Sequence, residues 1–235
     1  MRAVIVSVRY ADFLSVTLPK WKACLPKGTL TVVTAPNDSE TIGVARRYHV
    51  PVYLTNAWTA LDESCHVGAT KVHFNKPLAL DYALGLYGEK RPAPASGELC
   101  VTLDADVVPE GQWPADDTFE PGVLYGVRRY KCDNHQELLA HRRGEVSLCH
   151  RDRDMRNNRP SGYCQAFRYA PGIRFGSYPS AGYYDRDFGD RFTTKVMRDD
   201  FSVIHLGRKG GFFNWRRRKI ALWNTRPPQR TDANR

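Results

Sequence analysis

The sequence predicts an α/β chain built on a mixed, mostly parallel sheet flanked by helices, and three observations predict it. Short β-branched runs at Val4–Val8, Leu30–Thr34 and Val50–Leu54 alternate with helical patterns through the first hundred residues. A fourth apolar run begins at Leu99 and stops at two carboxylates, Asp104 and Asp106, with one alanine between them. The 235 residues suffice for one domain with a sizeable core. In a doubly wound sheet ligands gather beyond the carboxyl ends of the strands, which is where Asp104 and Asp106 fall.

Each element has its own local reason. Met1–Arg9 is too short and too soon polar for an export signal, so it reads as the first strand. Ala11–Leu18 starts a helix. Asn37-Asp38-Ser39-Glu40 supplies capping chemistry for a helix running through Ala45 and Arg47. Asn75 opens another, with Pro77 in its first turn and Leu78, Leu80, Ala83, Leu84 and Tyr87 on its apolar side. The polar segment Arg91–Gly97 leads into the strand that ends at Asp104. Later strands are expected at Gly122–Val127 and Gln165–Tyr169. Residues 130–160, polar and centred on Arg151–Arg159, are expected to form a long excursion or lid.

The formal charge of +10 is unevenly placed. From His205 to Arg235 there are nine Lys/Arg against one acid, Asp232, while the rest is close to neutral. An acidic partner met by one end of the molecule follows. No apolar stretch is long enough to cross a bilayer. Six scattered cysteines without an export signal imply reduced thiols and a cytoplasmic setting, in a bacterial or virus-infected cell. Cys132, His135, Cys149 and Cys164, with His141 and His150 nearby, offer a zinc-ligand set whose spacing matches no standard finger. The plain alternative is that they are ordinary core and surface residues.

The Asp-Ala-Asp pair carries most of the chemistry. Alternation along an extended chain throws both side chains to one side. Hard carboxylate oxygens there suit Mg²⁺ or Mn²⁺, which in turn holds a diphosphate. A solvated strand-to-loop transition is the competing reading.

Four segments in order extend the pattern: Val32–Thr41, Phe74–Leu80, Leu103–Asp106 and Ser202–Leu206. Together they resemble the glycosyltransferases of the GT-A fold, a single Rossmann-like domain using nucleotide-diphosphate sugars. Gly182–Arg191 is similar to the Glu-Asp-x-Asp segment of galactosyltransferase-like inverting members. The resemblance spans roughly residues 2–210. It implies a nucleotide-sugar half over 1–110, an acceptor half over 111–207 and a basic tail over 208–235.

The same resemblance assigns roles. Asp38 accepts from the nucleobase, commonly uracil, and Lys76 faces the diphosphate. Val8, Arg9, Asn75, Ala105 and Lys209 complete the donor site. Asp106 ligates Mn²⁺ or Mg²⁺ directly, with Asp104 on the ribose or the metal, and His205 is the third protein ligand. Gly207–Gly211 is a cationic loop placed to close over the leaving diphosphate. Asp185 is the expected catalytic base, taking the proton of the acceptor hydroxyl, with Asp187 second. The chain departs from the family at Tyr184, where Glu is usual, and at Pro77, where Gly is frequent.

Gln165, Tyr184, Trp215 and Arg216 are expected to meet the acceptor. The tail mixes Arg and Lys with Phe212, Phe213 and Trp215, which leaves three readings open. One is contact with DNA carrying 5-hydroxymethylpyrimidines, as in a phage-type DNA-modifying enzyme. Another is an anionic membrane presenting a cell-surface polysaccharide or lipid-linked acceptor. The third is a helix packed on the core. The arginine-rich stretch 142–159 adds a second cationic surface and favours DNA. No obligate protein partner is implied. A reading of another class is a non-catalytic basic nucleic-acid-binding protein on the same fold.

Overall fold

The computed structural model describes residues 1–59, 75–87, 91–132, 134–150, 160–178 and 184–206. In chain order the elements are β1 (Arg2–Val6), α1 (Ala11–Cys24), β2 (Leu30–Thr34), α2 (Ser39–Arg47), β3 (Val52–Leu54), α3 (Lys76–Leu84), β4 (Leu99–Asp104), β5 (Val107–Glu110), β6 (Val123–Cys132), α4 (His135–Arg142), β7 (Cys149–His150), β8 (Cys164–Arg168), α5 (Tyr184–Gly189) and β9 (Thr194–Leu206).

All nine described strands belong to one mixed sheet, ordered β3-β2-β1-β4-β8-β6-β9-β5, with β7 added beside β6. Strands β3, β2, β1 and β4 run parallel. β1 has β2 on one side and β4 on the other, so the chain's winding reverses there and a crevice opens past Val6 and Asp104. β8 then joins β4 antiparallel, with Leu103 opposite Cys164. This puts the loop before β8 against the end of β4, where the Asp104 N–H donates to the Tyr163 carbonyl at 2.9 Å.

Two layers cover the sheet. On one face Phe13, Leu14, Leu18 and Trp21 of α1, with Ala45 of α2, pack on Ile5, Val32, Val101 and Leu103. On the other, Leu78, Leu80 and Leu84 of α3 and Phe188 of α5 pack on Val4, Val6, Cys100 and Phe167. β5 and β6 both flank β9. Its pairing with β6 is parallel and broken by a bulge: Val127 pairs with Arg198, but Arg128 already pairs with Ser202. Past that irregularity His205 lies opposite Val107 of β5 and Lys131 of β6.

Two expectations change. The chain does not run extended through both carboxylates: β4 stops at Asp104, Ala105–Asp106 is a turn, and β5 begins at Val107. Helix α1 holds this turn, Thr17 Oγ1 donating to the Ala105 carbonyl at 2.8 Å and Trp21 Nε1 to the Val107 carbonyl at 2.8 Å. The excursion expected over 130–160 also has regular structure. β6 runs on to Cys132, and Asn134 caps α4 by accepting from the Glu137 N–H at 2.9 Å. The arginine-rich core of that stretch, 151–159, lies outside the described residues.

Candidate active site

A cleft of about 290 Å³ opens at the carboxyl ends of β1 and β4. Its walls are Val6, Val8 and Tyr10 from the end of β1 onward, Asp104, Ala105 and Asp106 from the end of β4 onward, and Lys76 at the start of α3. Arg129, Ser161–Tyr163, Asp185 and His205 complete it. Residues as far apart in the sequence as Val6 and His205 thus meet at one end of the sheet.

Lys76 organises the floor. Its ammonium donates to Asp104 Oδ1 at 2.5 Å and to the Gly162 carbonyl at 2.8 Å, and lies 5.5 Å from the centre of the Tyr184 ring. Burial pulls its pKa down, but the charge of Asp104, then Tyr184 and Asp185, outweighs that and leaves it raised. A cation in the first turn of a helix opposes the macrodipole, so Asp104 is what holds it there. Asp104 is itself pushed above the usual carboxylate range by burial and by Asp106 and Asp185, against the pull of Lys76.

Asp106 and His205 form a pair, Nε2 to Oδ2 at 3.7 Å, joined also through the backbone, where the Leu206 N–H donates to the Asp106 carbonyl at 2.7 Å. Among the described residues no three His, Cys, Asp or Glu side chains stand as a closed metal cluster. The expected trio is present as the Asp106–His205 pair, with Asp104 beside it turned to Lys76. The donor chemistry fits Mn²⁺ or Mg²⁺: the hard carboxylate oxygens of Asp104 and Asp106 and one imidazole share the cleft.

Asp185 closes the opposite side. Its Oδ2 accepts from the Gly162 N–H at 3.0 Å, while Oδ1 is buried beside the Tyr184 hydroxyl. Burial raises its pKa, opposed by Lys76, the Gly162 N–H, the Tyr184 hydroxyl and Arg129. Gly162 is therefore gripped twice, its carbonyl by Lys76 and its amide by Asp185. A β-carbon there would collide with Asp185 Oδ1 and the Tyr184 hydroxyl, which explains the glycine.

The other described residues expected at the site are not part of the cleft lining. Asp38 caps α2, accepting from the Thr41 N–H (3.2 Å), Thr34 Oγ1 (2.9 Å) and the Arg9 N–H (2.5 Å). It thereby holds Arg9 at a positive φ of 57° beside Val8. Asn75 caps α3 and binds Ser177 and Tyr178. Asp187 accepts from the Tyr178 hydroxyl at 2.9 Å. Gln165 is buried on β8 and donates to the Pro160 carbonyl at 3.1 Å. The Tyr184 side chain is fully buried against Phe175. Lys209, Trp215 and Arg216, with the Gly207–Gly211 loop, lie outside the described residues.

The zinc set does not assemble. Cys164 sits one residue from Gln165, which pairs with Gly126, whereas Cys132 is six residues farther along β6. At about 3.3 Å per residue the two thiols stand well beyond shared coordination. Cys132 instead donates to the Asn134 carbonyl at 3.2 Å, and burial pushes the Cys164 thiol far up. Arg129, Ser161, Gly162, Tyr163 and Tyr10 are cleft residues that sequence reasoning missed. The Arg129 guanidinium stacks on the Tyr163 ring at 4.1 Å, a contact no local pattern announces.

No family model and no curated protein matches this chain. Among solved structures it is similar to a glucosyl-3-phosphoglycerate synthase from Mycobacterium tuberculosis in complex with Mn²⁺, uridine diphosphate and glucosyl-3-phosphoglycerate. Identity is 14%, coverage 94% of this chain and 77% of that one, and the TM-score 0.44. It is also similar to a mannosyl-3-phosphoglycerate synthase from Rubrobacter xylanophilus, at 15% identity, 97% and 77% coverage and a TM-score of 0.45. The chemistry is carried by the cleft residues, not by these overlaps.

Proposed function

We propose that this chain is a metal-dependent glycosyltransferase that moves a sugar from a UDP-sugar to a hydroxyl acceptor with inversion. The observation that carries this is the meeting of Asp104, Asp106, His205, Lys76 and Asp185 around one cleft at the sheet's winding reversal. Asp185 lines the cleft with one oxygen fixed by the Gly162 N–H and the other beside the Tyr184 hydroxyl, and burial raises its pKa, which suits a base taking the proton of an attacking hydroxyl. Lys76 holds Asp104 and the 160–163 loop in register. Mn²⁺ or Mg²⁺ bound at Asp106 and His205, with Asp104 alongside, would supply Lewis-acid stabilisation of the departing diphosphate. Asp38, through Arg9, fixes the loop at the donor end.

A screen of nucleotide sugars for metal-dependent UDP release tests this reading. Release is expected with Mn²⁺, to be abolished in Asp106→Ala, and to fall at least about 10²-fold in Asp185→Asn. Absence of release with every donor would overturn it. For the acceptor we propose a polyanion, with 5-hydroxymethylpyrimidine DNA first, on the strength of the nine Lys/Arg that follow from His205 onward. A base within a duplex would have to be flipped out to reach the cleft. Incubation with UDP-glucose, Mn²⁺ and 5-hydroxymethylcytosine DNA, then nucleoside mass spectrometry, is expected to show an added hexose. Transfer only to a saccharide or lipid acceptor would reject DNA. Nucleic-acid binding without UDP release would favour the non-catalytic reading.

A further inference from the structure

Helix α3 faces two ways. Its first residue, Lys76, enters the cleft, while Asp81 is wholly buried on the α5 side and lies apart from the cleft lining. Asp81 accepts from the Phe175 N–H at 2.7 Å and the Gly176 N–H at 2.9 Å, with the Arg174 guanidinium at 3.7 Å. Gly176 takes a φ of +91°, a conformation that suits glycine. At the other end of the same segment, Asn75 accepts from the Tyr178 N–H at 3.2 Å and donates to Ser177 Oγ at 2.7 Å. Residues 174–178 are therefore tied to α3 at both ends.

That segment grips α5 in turn. The Phe175 ring stacks on Phe188 at 3.9 Å and meets Tyr184 edge-on at 5.8 Å. The Tyr178 hydroxyl donates to Asp187. Tyr184, Asp187 and Phe188 bracket Asp185. A helix of six residues is too short to fix its own orientation, so these contacts set it.

We propose that Asp81 and Tyr178 are positioning residues for Asp185, acting through segment 174–178 and the aromatic face of α5. Asp185 is then held from α3 by two routes. One is Lys76 through the Gly162 peptide, and the other is Asp81 through Phe175. A single rigid helix fixes both the cleft's cation and its carboxylate. This inference rests on the reading of Asp185 as the base.

The test uses Tyr178→Phe, which removes one hydroxyl, and Asp81→Asn, which takes one acceptor from two backbone donors. Two readouts are needed: steady-state UDP release, and the amide resonance of Gly162 in the substrate-free protein, since that N–H is bound to Asp185. Both variants are expected to lower kcat about tenfold at unchanged donor KM and to displace the Gly162 resonance. A folded Tyr178→Phe with wild-type kcat and an unmoved Gly162 resonance overturns the proposal, as does a lowered melting temperature alone. If Asp81→Asn does not fold, Tyr178→Phe decides. If the wild-type protein releases no UDP, the transferase reading fails on its own, and the Gly162 resonance still decides whether the strap sets Asp185.

Discussion

Gly162 shows how tightly single residues define the cleft. Its backbone joins Lys76 to Asp185, and the space a β-carbon would fill holds Asp185 Oδ1 and the Tyr184 hydroxyl. Gly162→Ala is expected to cut UDP release by about 10²-fold, because it displaces the carboxylate from its acceptor path. Overpacking adds about 1–3 kcal/mol of destabilisation, measurable by denaturant unfolding. Lys76→Met leaves Asp104 beside Asp106 and Asp185 with no ammonium, and because the Asp104 side chain is 31% exposed its expected cost is about 1–3 kcal/mol by the same measurement. The carboxylates and histidine that line the cleft were legible from the strand-end Asp-Ala-Asp pair taken with the order of the other segments. Asp38 and Asn75 were read both as helix starts and as donor-site groups, and the structure shows their caps, while Asp187 accepts from the Tyr178 hydroxyl. An Asx side chain that caps a helix and one that meets a ligand occupy the same position at a strand–helix junction, so sequence alone does not separate them.

At the scale of elements, local pattern announced β1, β2, β4, α2 and α3, whose periodicity and caps are intrinsic to the segment. The antiparallel return of β5 along β9 and the bulge after Arg198 were not legible, since both depend on distant partners. The α3–strap contact carries a pH prediction. Burial pushes Asp81 up to about 7, against its two backbone donors and the charges of Arg174 and Arg191. Its folded pKa thus exceeds its unfolded value, so the folded state keeps this proton longer. Stability from this group is greatest at low pH and falls as pH rises from about 4 to about 7, by on the order of 4 kcal/mol before other carboxylates are counted. Denaturant unfolding across that window is expected to show the slope in the wild-type protein. Asp81→Asn should remove it, and parallel curves for the two proteins would refute the assignment.

For the whole molecule, the two-layer packing places all three cleft carboxylates at the sheet's reversal point, with the Lys76 ammonium bonded to Asp104 to oppose their mutual repulsion. Chain-wide charge gave no hint of this, because the +10 excess lies mainly after His205 while the cleft itself is acidic. The cysteines misled because spacing along the chain says nothing of register: Gln165 pairs with Gly126, which leaves Cys132 several residues along β6 from Cys164. Mn²⁺ binding only the folded state at about 100 times its dissociation constant stabilises by about 2.7 kcal/mol. For a chain of this size that corresponds to roughly 5–10 °C in melting temperature. The rise is expected in substrate-free protein and should vanish in Asp106→Ala, which removes the oxygen facing His205. Zn²⁺ offered to a Cys132→Ser variant should act as it does on the wild-type protein, because that thiol is spent on the Asn134 carbonyl. A Mn²⁺ shift that survives Asp106→Ala would place the cation elsewhere.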